Sequence, residues 1–469
     1  MDLAKRVTFA LYFGNRGFFP ESLVAGARQE LGTRIEQLGY GTLMMPADAT
    51  PNGAVESTAD GLKYAAWLAA HRGQFDGVIL CLPNFGDETG AVAALRDAGV
   101  PILIQAYPDA LDKMGFKSRR DAFCGKLSVM DVFGQYGVPF SAPPPHTVHP
   151  GSAEFARNVH AFAGACRVVN GMKRLTVGAI GARTTAFKTV RCDELALQRH
   201  GVTTETVDLS EVIRRVRGLA DSDPRCRDKA GAIGDTADCG AVPPASLLTL
   251  AKLGVVLDDL TAELRLDAMA IRCWLELEQE LRIAPCVLAG ELNQRGIPCA
   301  CEVDVCNAVA MAALQLAAGR PAACLDWNNN YGDDPDKCIL FHCGPVPPSM
   351  MTGKGQVIDH PMFAKALGAG CGWGPNVGRI AASPMTYLSA KTENGRLSFY
   401  LGEGEMTADP IPPDFFGCAG VAHIPQLQSK LQNMGYAGYR HHVTVSFGRV
   451  EASLRDAFQH YLGYDITEL

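Results

Sequence analysis

The sequence contains no stretch that approaches the ~18 apolar residues needed to cross a bilayer. Its first residues, MDLAKRVTFALYFGNRG, include only a short apolar run, which is interrupted by glycine and arginine. Such a run is typical of a first β-strand and not of a secretory signal peptide. We therefore expect a cytoplasmic protein without a membrane partner.

A strong excess of charge is missing as well. The 43 Lys and Arg residues stand against 50 Asp and Glu residues, for a net charge of −7. This balance offers no basic surface for nucleic acid or for an anionic membrane. The length of 469 residues is too great for one ordinary core, so we expect two to four domains.

Cysteine is plentiful, but the spacing of a zinc site is missing. Among the 16 cysteines, Cys299, Cys301 and Cys306 stand close together without a zinc-site pattern, and no second pair complements them. In a chain that is not exported these residues should be reduced thiols, most of them small core residues.

The glycine fingerprint of dinucleotide-binding proteins is also absent. Gly178 and Gly181 follow a predicted strand and precede a helix, but they form GxxGxR and not GxGxxG. No acid ends the following apolar segment in the diagnostic way. These two absences argue against a nicotinamide oxidoreductase.

What the sequence does contain is a regular alternation of strands and helices, which begins with a strand at residues 5–13. This alternation predicts an α/β protein with two Rossmann-like parallel domains, residues 1–150 and 151–325, divided by a Pro-rich stretch. The polar residues 220–242 are predicted to form a surface excursion. After residue 330, strand-like runs separated by Gly, Pro and Asn turns predict a mostly antiparallel, barrel-like β domain, residues 326–469.

Two acids in the middle of the chain follow apolar runs, Glu302 after IPCAC and Asp326 after PAACL. The segment between them has the composition of a buried helix, so the pattern predicts a β-α-β unit with parallel strands. Both carboxylates would then emerge at the same edge of a sheet, where ligands bind. A buried carboxylate needs a partner, and a shared divalent cation such as Mn²⁺ or Mg²⁺ supplies one.

The run EVDVCNAVAM, with an acid on the next apolar run, resembles the metal-binding segment of the L-fucose isomerase and L-arabinose isomerase superfamily, and is closest to its fucose side. YRHHVTVSFG, residues 439–448, resembles the family's C-terminal histidine segment. FGNRGFFPESL, residues 13–23, resembles its N-terminal Arg-Gly loop. The resemblance implies an aldose–ketose isomerase whose Mn²⁺, or another divalent cation such as Mg²⁺ or Co²⁺, is bound by Glu302, Asp326 and His442.

The resemblance also implies that Glu302 and Asp326 are the acid/base pair that moves a proton between C1 and C2 through a cis-enediol. Since neighbours in a strand point to opposite faces, only one of two adjacent histidines should reach the metal. We place His442 on the metal and His441 on the substrate. His342 resembles a metal-site histidine of the arabinose-isomerase branch, and it is left open as a ligand, a substrate group or a group beside the metal.

Further substrate-binding candidates are Arg16, Asn84 and Trp274, each near the end of a predicted strand. Trp274 is equally consistent with a core residue, and the loops with solvated turns. In the family the N-terminal loop is believed to complete a neighbouring subunit's site. The resemblance therefore implies a homo-oligomer, a hexamer built from trimers.

The function expected on this basis is the isomerisation of a free, unphosphorylated aldose. One alternative is an isomerase for a modified 6-deoxy sugar such as sulfoquinovose, whose anionic tail Arg16, Arg183 or His441 could bind. An alternative of another class is a non-catalytic sugar-binding protein.

Overall fold

The computed structural model describes residues 5–469. In these residues the chain forms two units, one of residues 5–170 with 452–463 and one of residues 171–451 with 464–469. Residues 1–4, with which the predicted first domain begins, lie outside the described residues. The domain boundaries near residues 150 and 325 stay predictions.

The first unit is built on a four-stranded sheet in which every pairing is parallel. Its elements are β1 (Thr8–Phe13), α1 (Ser22–Gln37), β2 (Gly41–Met44), α2 (Thr58–Ala70), β3 (Gly77–Leu82), α3 (Glu88–Leu95), β4 (Ile102–Ala106), α4 (Ala122–Gln135) and α5 (Ala153–Met172). The strand order is β2-β1-β3-β4, with the continuous apolar strands β1 and β3 in the middle. Such strands are typical of a parallel sheet that helices cover on both faces.

The second unit begins with another parallel sheet of four strands, in the order β6-β5-β8-β9. The elements of this part are β5 (Leu175–Ile180), α6 (Glu194–Arg199), β6 (Val202–Val207), α7 (Leu209–Gly218), α8 (Pro224–Thr236), β7 (Ala237–Asp238), α9 (Pro244–Glu263), β8 (Ala268–Ile271), α10 (Glu276–Leu281), α11 (Cys286–Gln294), β9 (Cys299–Cys301) and α12 (Val305–Ala318).

A ten-stranded sheet, mostly antiparallel, occupies the rest of this unit. The remaining elements of this unit are β10 (Ala322–Asn330), β11 (Lys337–His342), β12 (Gly355–Asp359), α13 (Pro361–Leu367), β13 (Trp373–Arg379), β14 (Ser383–Glu393), β15 (Arg396–Thr407), β16 (Cys418–His423), α14 (Leu427–Tyr436) and β17 (His442–Phe447). After β17 the chain forms α15 (Glu451–Asp456), which continues as a π-helix (Ala457–Leu462); residues 452–463 belong to the first unit, and β18 (Asp465–Ile466) to the second. Because β15 also pairs with β16, six strands in the order β15-β14-β17-β10-β11-β16 close into an antiparallel barrel. The predicted fold class is confirmed.

Helix α12 joins the two sheets of the second unit. It is apolar around its whole circumference, because it packs against β5 and β8 of the parallel sheet and against β14 and β17 of the barrel. The strands at its two ends consequently belong to different sheets. The predicted β-α-β unit is therefore wrong: β9 ends the parallel sheet, whereas β10 is paired with antiparallel neighbours in the barrel.

The prediction of a surface excursion at residues 220–242 is also wrong, because α8 forms there. Asp223 caps this helix by accepting from the backbone of Arg225 at 2.9 Å, and Pro224 occupies its first turn. Cys226 and Ile233 turn inward to the core. Of the polar residues that suggested a loop, Lys229 and Thr236 are also buried, and most of the others lie on the outer face of the helix.

None of the helices in residues 5–469 combines the length and the apolar character that crossing a membrane requires.

Candidate metal centre

Glu302 lies in a strained turn directly after β9. Both Glu302 and Val303 have φ of +58°, a left-handed conformation that is costly for a β-branched residue such as valine. Trp274 donates from Nε1 to Glu302 Oε1 at 3.2 Å and so fixes one carboxylate oxygen. The other oxygen, Oε2, is buried without a hydrogen-bond partner.

Asp326 and His442 face the same point, because they are directly opposite each other in the antiparallel pair β10 and β17. His442 Nε2 lies 3.4 Å from Asp326 Oδ1 and 2.9 Å from Glu302 Oε2. Asp326 lies inside its strand and not at the end that the sequence predicts. The barrel register, and not a shared parallel edge, places it opposite His442, which in turn contacts Glu302.

His442 is held in one orientation by a buried carboxylate. Its Nδ1 donates to Asp304 Oδ2 at 2.8 Å, which turns Nε2 toward Glu302 and Asp326. Asp304 is fully buried, and it also forms an ion pair with the buried Arg440 and caps α12 through the backbone of Asn307 at 3.1 Å. The Asp304–His442 contact therefore sets both the ring position and its tautomer.

The charges in this cluster shift one another's pKa values. Burial alone would lower the pKa of His442, but the carboxylates of Asp304 and Glu302 outweigh it and raise that pKa to about 10. Burial alone would raise the pKa of Glu302, but the imidazoles of His342 and His442 hold it well below its usual range. The cluster is thus a set of paired charges.

His342, the last residue of β11, has the opposite tautomer. Its Nδ1 accepts from the backbone N–H of Cys343 at 2.9 Å, which places a ring proton on Nε2. That nitrogen lies 3.7 Å from Glu302 Oε2. Burial alone would lower the pKa of His342, but the carboxylates of Asp326 and Glu302 outweigh it and raise that pKa well above its usual value. A protonated Nε2 suits a hydrogen-bond donor beside a cation better than a ligand of it.

His441 lies on the same side as its neighbour, so the prediction of opposite faces is wrong for this pair. The strand begins only at His442, and strand alternation does not govern the residue before it. The two rings are 4.5 Å apart, and His441 Nε2 lies 3.7 Å from Asp326 Oδ1. Burial, aided by His442, lowers the pKa of His441, which favours its neutral form.

Side chains around His442 form two groups whose atoms lie close enough to hold a divalent cation, Glu302 with His342 and His442, and Asp326 with His441 and His442. Four of their buried polar atoms have no hydrogen-bond partner: Glu302 Oε2, Asp326 Oδ1, His342 Nε2 and His442 Nε2. Buried polar atoms rarely stay unpaired. Two ligands at right angles around a cation, each at about 2.1 Å, lie roughly 3 Å apart. The separations of 2.9 and 3.4 Å around His442 Nε2 match that arrangement.

Aromatic side chains border this centre. Phe187 packs edge-on against Trp274 and His441, with ring centroids 5.8 and 5.3 Å away. Trp274 is thus partly exposed beside Glu302 and is not a core residue.

Arg16 and Asn84 lie in the first unit, where they belong to one network at the carboxyl ends of β1 and β3. Asn84 Oδ1 accepts from the Arg16 backbone at 3.3 Å, and Asn84 also donates to Asn15. The Arg16 guanidinium donates to the Gly86 carbonyl at 2.8 Å and forms an ion pair with Glu88. That Arg16 or Asn84 binds substrate stays a prediction.

Asp304, Arg440 and Phe187 are the site residues that the sequence analysis missed. Asp304 offered a local signal, since it stands two residues after Glu302 and just before a helix, the position of an N-cap. Arg440 and Phe187 offered no such local signal.

Two family models match the chain. The Fucose/sulfoquinovose isomerase N-terminal domain matches residues 10–173, and the L-fucose isomerase C-terminal domain matches residues 340–469. His442 lies within the second match, whereas Glu302 and Asp326 lie between the two.

Several curated relatives match the chain, each of them named a sulfoquinovose isomerase. The protein from Alkalicoccus urumqiensis is 23% identical over 391 residues, which are 81% of this chain and 83% of the relative. The protein from Priestia megaterium is 22% identical over 390 residues, again 81% and 83% of the two chains. The protein from Clostridium sp. (strain MSTE9) is 25% identical over 307 residues, 63% of this chain and 65% of the relative.

Proposed function

We propose that the protein interconverts a free, unphosphorylated aldose and its ketose at a divalent-metal centre. The proposal starts from the family: the chain belongs to the fucose isomerase-like family and is an aldose–ketose isomerase. The observation that carries this proposal is the convergence of unpartnered buried atoms from Glu302, Asp326 and His442. We assign these three side chains as the ligands.

Two carboxylates and an imidazole suit Mn²⁺, and also Mg²⁺ or Co²⁺. The cation, when bound, polarises the oxygens on C1 and C2 of the open-chain sugar. His342 Nε2 lies 3.7 Å from Glu302 Oε2, where it can donate to an oxygen of the substrate, and we do not count it as a ligand. The neutral His441, which is 42% exposed, lies where it can contact substrate.

The two carboxylates divide the proton transfers. One takes the proton from C2 of the aldose as electrons move toward the carbonyl, which gives a cis-enediol, and the proton is returned at C1. The other carries the proton of the C2 hydroxyl to the oxygen on C1. The Trp274 hydrogen bond and the strained turn hold Glu302 in place for this exchange.

The first experiment tests whether Glu302 and Asp326 only bind the cation or also carry protons. Glu302→Gln and Asp326→Asn keep side-chain size but remove the accepting oxygen, so we expect activity to fall ~10²–10⁴-fold and to stay low at saturating Mn²⁺. Glu280→Gln, at a half-exposed glutamate paired with Arg217, is the matched control and should retain activity. Full recovery of activity in excess Mn²⁺ would show that Glu302 and Asp326 act only as metal ligands.

A solvent-isotope experiment tests the enediol directly. Turnover in D₂O should place deuterium on C1 of the ketose, because the migrating proton exchanges with water. Complete retention of the substrate hydrogen over many turnovers would point to a hydride shift and overturn the proton-transfer assignment.

The second candidate substrate is sulfoquinovose, which would be converted to 6-deoxy-6-sulfofructose. It is favoured by the names of the curated relatives. Comparing kcat/KM for sulfoquinovose and for uncharged aldoses decides between the two. A non-catalytic sugar-binding protein is not carried further, because the family consists of isomerases.

We also propose that the protein is a homo-oligomer, a hexamer or a trimer, in which the Arg16 loop of one subunit completes the site of its neighbour. This follows the family resemblance of that loop, and light scattering that finds an active monomer would refute it. The cytoplasm remains the expected compartment, since each of the 16 cysteines is a free thiol.

A further inference from the structure

A cavity of about 190 Å³ adjoins the metal centre on the side of Glu302 and His342. Its wall is largely apolar, with four thiols among its groups. The lining residues beyond Glu302 and His342 are Cys273, Trp274, Glu278, Ala284, Cys286, Cys301, Cys343, His360, Met362 and Phe363. A cavity of this size holds roughly six waters, or part of an open-chain sugar.

Glu278 is the unusual member of this wall. It is 0% exposed, and neither of its carboxyl oxygens has a hydrogen-bond partner. His360 stands near it, separated by Gly372, and its Nδ1 is likewise buried and unpartnered. Leaving such groups unpaired is costly, so their presence in a cavity indicates a polar occupant that pairs with them.

Within one subunit, the wall of this cavity has no lysine or arginine among the described residues, and its basic side chains are His342 and His360. A second cavity of about 690 Å³, on the side of Asp326, has Asp326 and Asp414 in its wall and again, within residues 5–469, no lysine or arginine. A sulfonate or phosphate buried in either requires a cation, which would have to come from His342 or from a neighbouring subunit.

We propose that the smaller cavity holds the end of the sugar farthest from the metal, and that Glu278 selects an uncharged sugar by hydrogen-bonding one of its hydroxyls. This inference rests on the isomerase function proposed above. It departs from the substrate named for the curated relatives.

The chemistry of Glu278 fits that role. Burial raises the pKa of Glu278 to about 8, so at pH 7 the carboxyl is mainly protonated. A neutral carboxyl both donates and accepts, as a sugar hydroxyl does. The surrounding Met362, Phe363 and Ala284 cover the carbon side of the sugar.

The first arm of the test uses the full-length, Mn²⁺-loaded protein with a panel of uncharged aldoses and sulfoquinovose. We expect an uncharged aldose to have the highest kcat/KM, about 100-fold or more above sulfoquinovose. A higher kcat/KM for sulfoquinovose overturns the inference and leaves the isomerase function intact. No turnover of any aldose would instead overturn the proposed function itself.

The second arm compares variants on the best aldose. Glu278→Met removes both hydrogen-bonding oxygens at similar size and should raise KM about ten-fold or more, with less change in kcat. Glu278→Gln stays neutral and can still donate and accept, so it should keep KM within about three-fold of the unmodified protein. Glu280→Gln, on the same helix but half-exposed, is the control.

Thermal unfolding distinguishes a role of Glu278 in substrate selection from a role in the stability of the protein. Replacing a buried, unpaired carboxyl with an apolar side chain should raise the Tm of Glu278→Met even as KM rises. A lowered Tm with unchanged KM, or an unchanged KM in any properly folded Glu278→Met protein, overturns the assignment of Glu278.

Discussion

Asp304 orients His442, one of the proposed ligands, without being proposed as a ligand itself. Its carboxylate holds His442 through Nδ1 at 2.8 Å and is itself paired with Arg440. Asp304→Asn should lower Mn²⁺ affinity about 10–100-fold, because the histidine loses its fixed tautomer and orientation. Titration with Mn²⁺ followed by electron paramagnetic resonance measures the loss. Asp208→Asn, at the exposed N-cap of α7, controls for helix capping, and equal affinity in both variants would contradict this role.

The raised pKa of His442, about 10, predicts that Mn²⁺ binding releases protons. Near pH 7 the imidazole is charged before the cation binds, so roughly one proton should leave for each ion, and affinity should rise with pH. Calorimetry in two buffers of different ionisation enthalpy counts the protons. If the heat of Mn²⁺ binding does not depend on the buffer, the His442 imidazole is not charged before the cation binds.

The same shift affects the stability of the metal-free protein. A folded pKa of about 10 against 6.5 means that His442 contributes stability fully below about pH 6.5 and loses it as pH rises toward 10. Urea unfolding without metal should therefore show stability falling across this range. Saturating Mn²⁺ should weaken that dependence.

The sequence could predict only those site residues that have a recognisable local pattern. Glu302, Asp326 and His442 could be chosen because they stand beside apolar runs and in a family-like order. The structure places His442 Nε2 near a carboxylate oxygen of each acid, and their role as ligands stays a prediction. Asp304 escaped notice because its partners, Arg440 and His442, are 136 and 138 residues away. A contact of that range leaves no periodic pattern in the chain.

At the scale of elements, β13 closes tightly on the segment before α11. A Cβ added at Gly374 would lie 1.8 Å from the carbonyl oxygen of Ala284, which is backbone and cannot rotate away. Gly374→Ala should therefore destabilise the protein by about 1–3 kcal/mol or more in urea unfolding. It should also raise KM, since Ala284 lines the cavity beside Glu302.

The matched control is Gly353→Ala, because nothing lies within 4 Å of a Cβ there. Its stability and KM should stay near those of the unmodified protein. Equal stability of the Gly374 and Gly353 variants would show that the close approach is relieved without cost.

Element types were easier to predict than their partners. The apolar run before Asp326 does identify a strand, but hydrophobicity alone does not tell a parallel neighbour from an antiparallel one. The deciding feature is α12, whose two ends contact different sheets. Helix α8 was missed for a related reason: its polar outer face dominates the composition, whereas Cys226 and Ile233 supply the inward face.

For the whole molecule, the proposed shared site predicts complementation between inactive subunits. Arg16→Ala should disable the loop that a subunit contributes to its neighbour's site. Glu302→Gln should disable the metal centre in the subunit's own site. Co-expressed, the two variants should regain a fraction of activity, because mixed oligomers contain some sites with both groups intact. Activity no higher than that of either variant alone would show that each chain works by itself.

Part of the small cavity's wall comes from helices outside the barrel. Glu278, Met362 and Phe363 are supplied by α10 and α13, whereas Asp326 and His442 are fixed by strand pairing inside the barrel. Mutations in α10 and α13 can therefore accumulate without replacing the groups proposed for the chemistry. A directed-evolution library confined to Glu278, His360, Met362 and Phe363 should yield enzymes with new sugar preferences at far higher frequency than random mutagenesis of the barrel, which makes this scaffold suited to engineering rare-sugar synthesis.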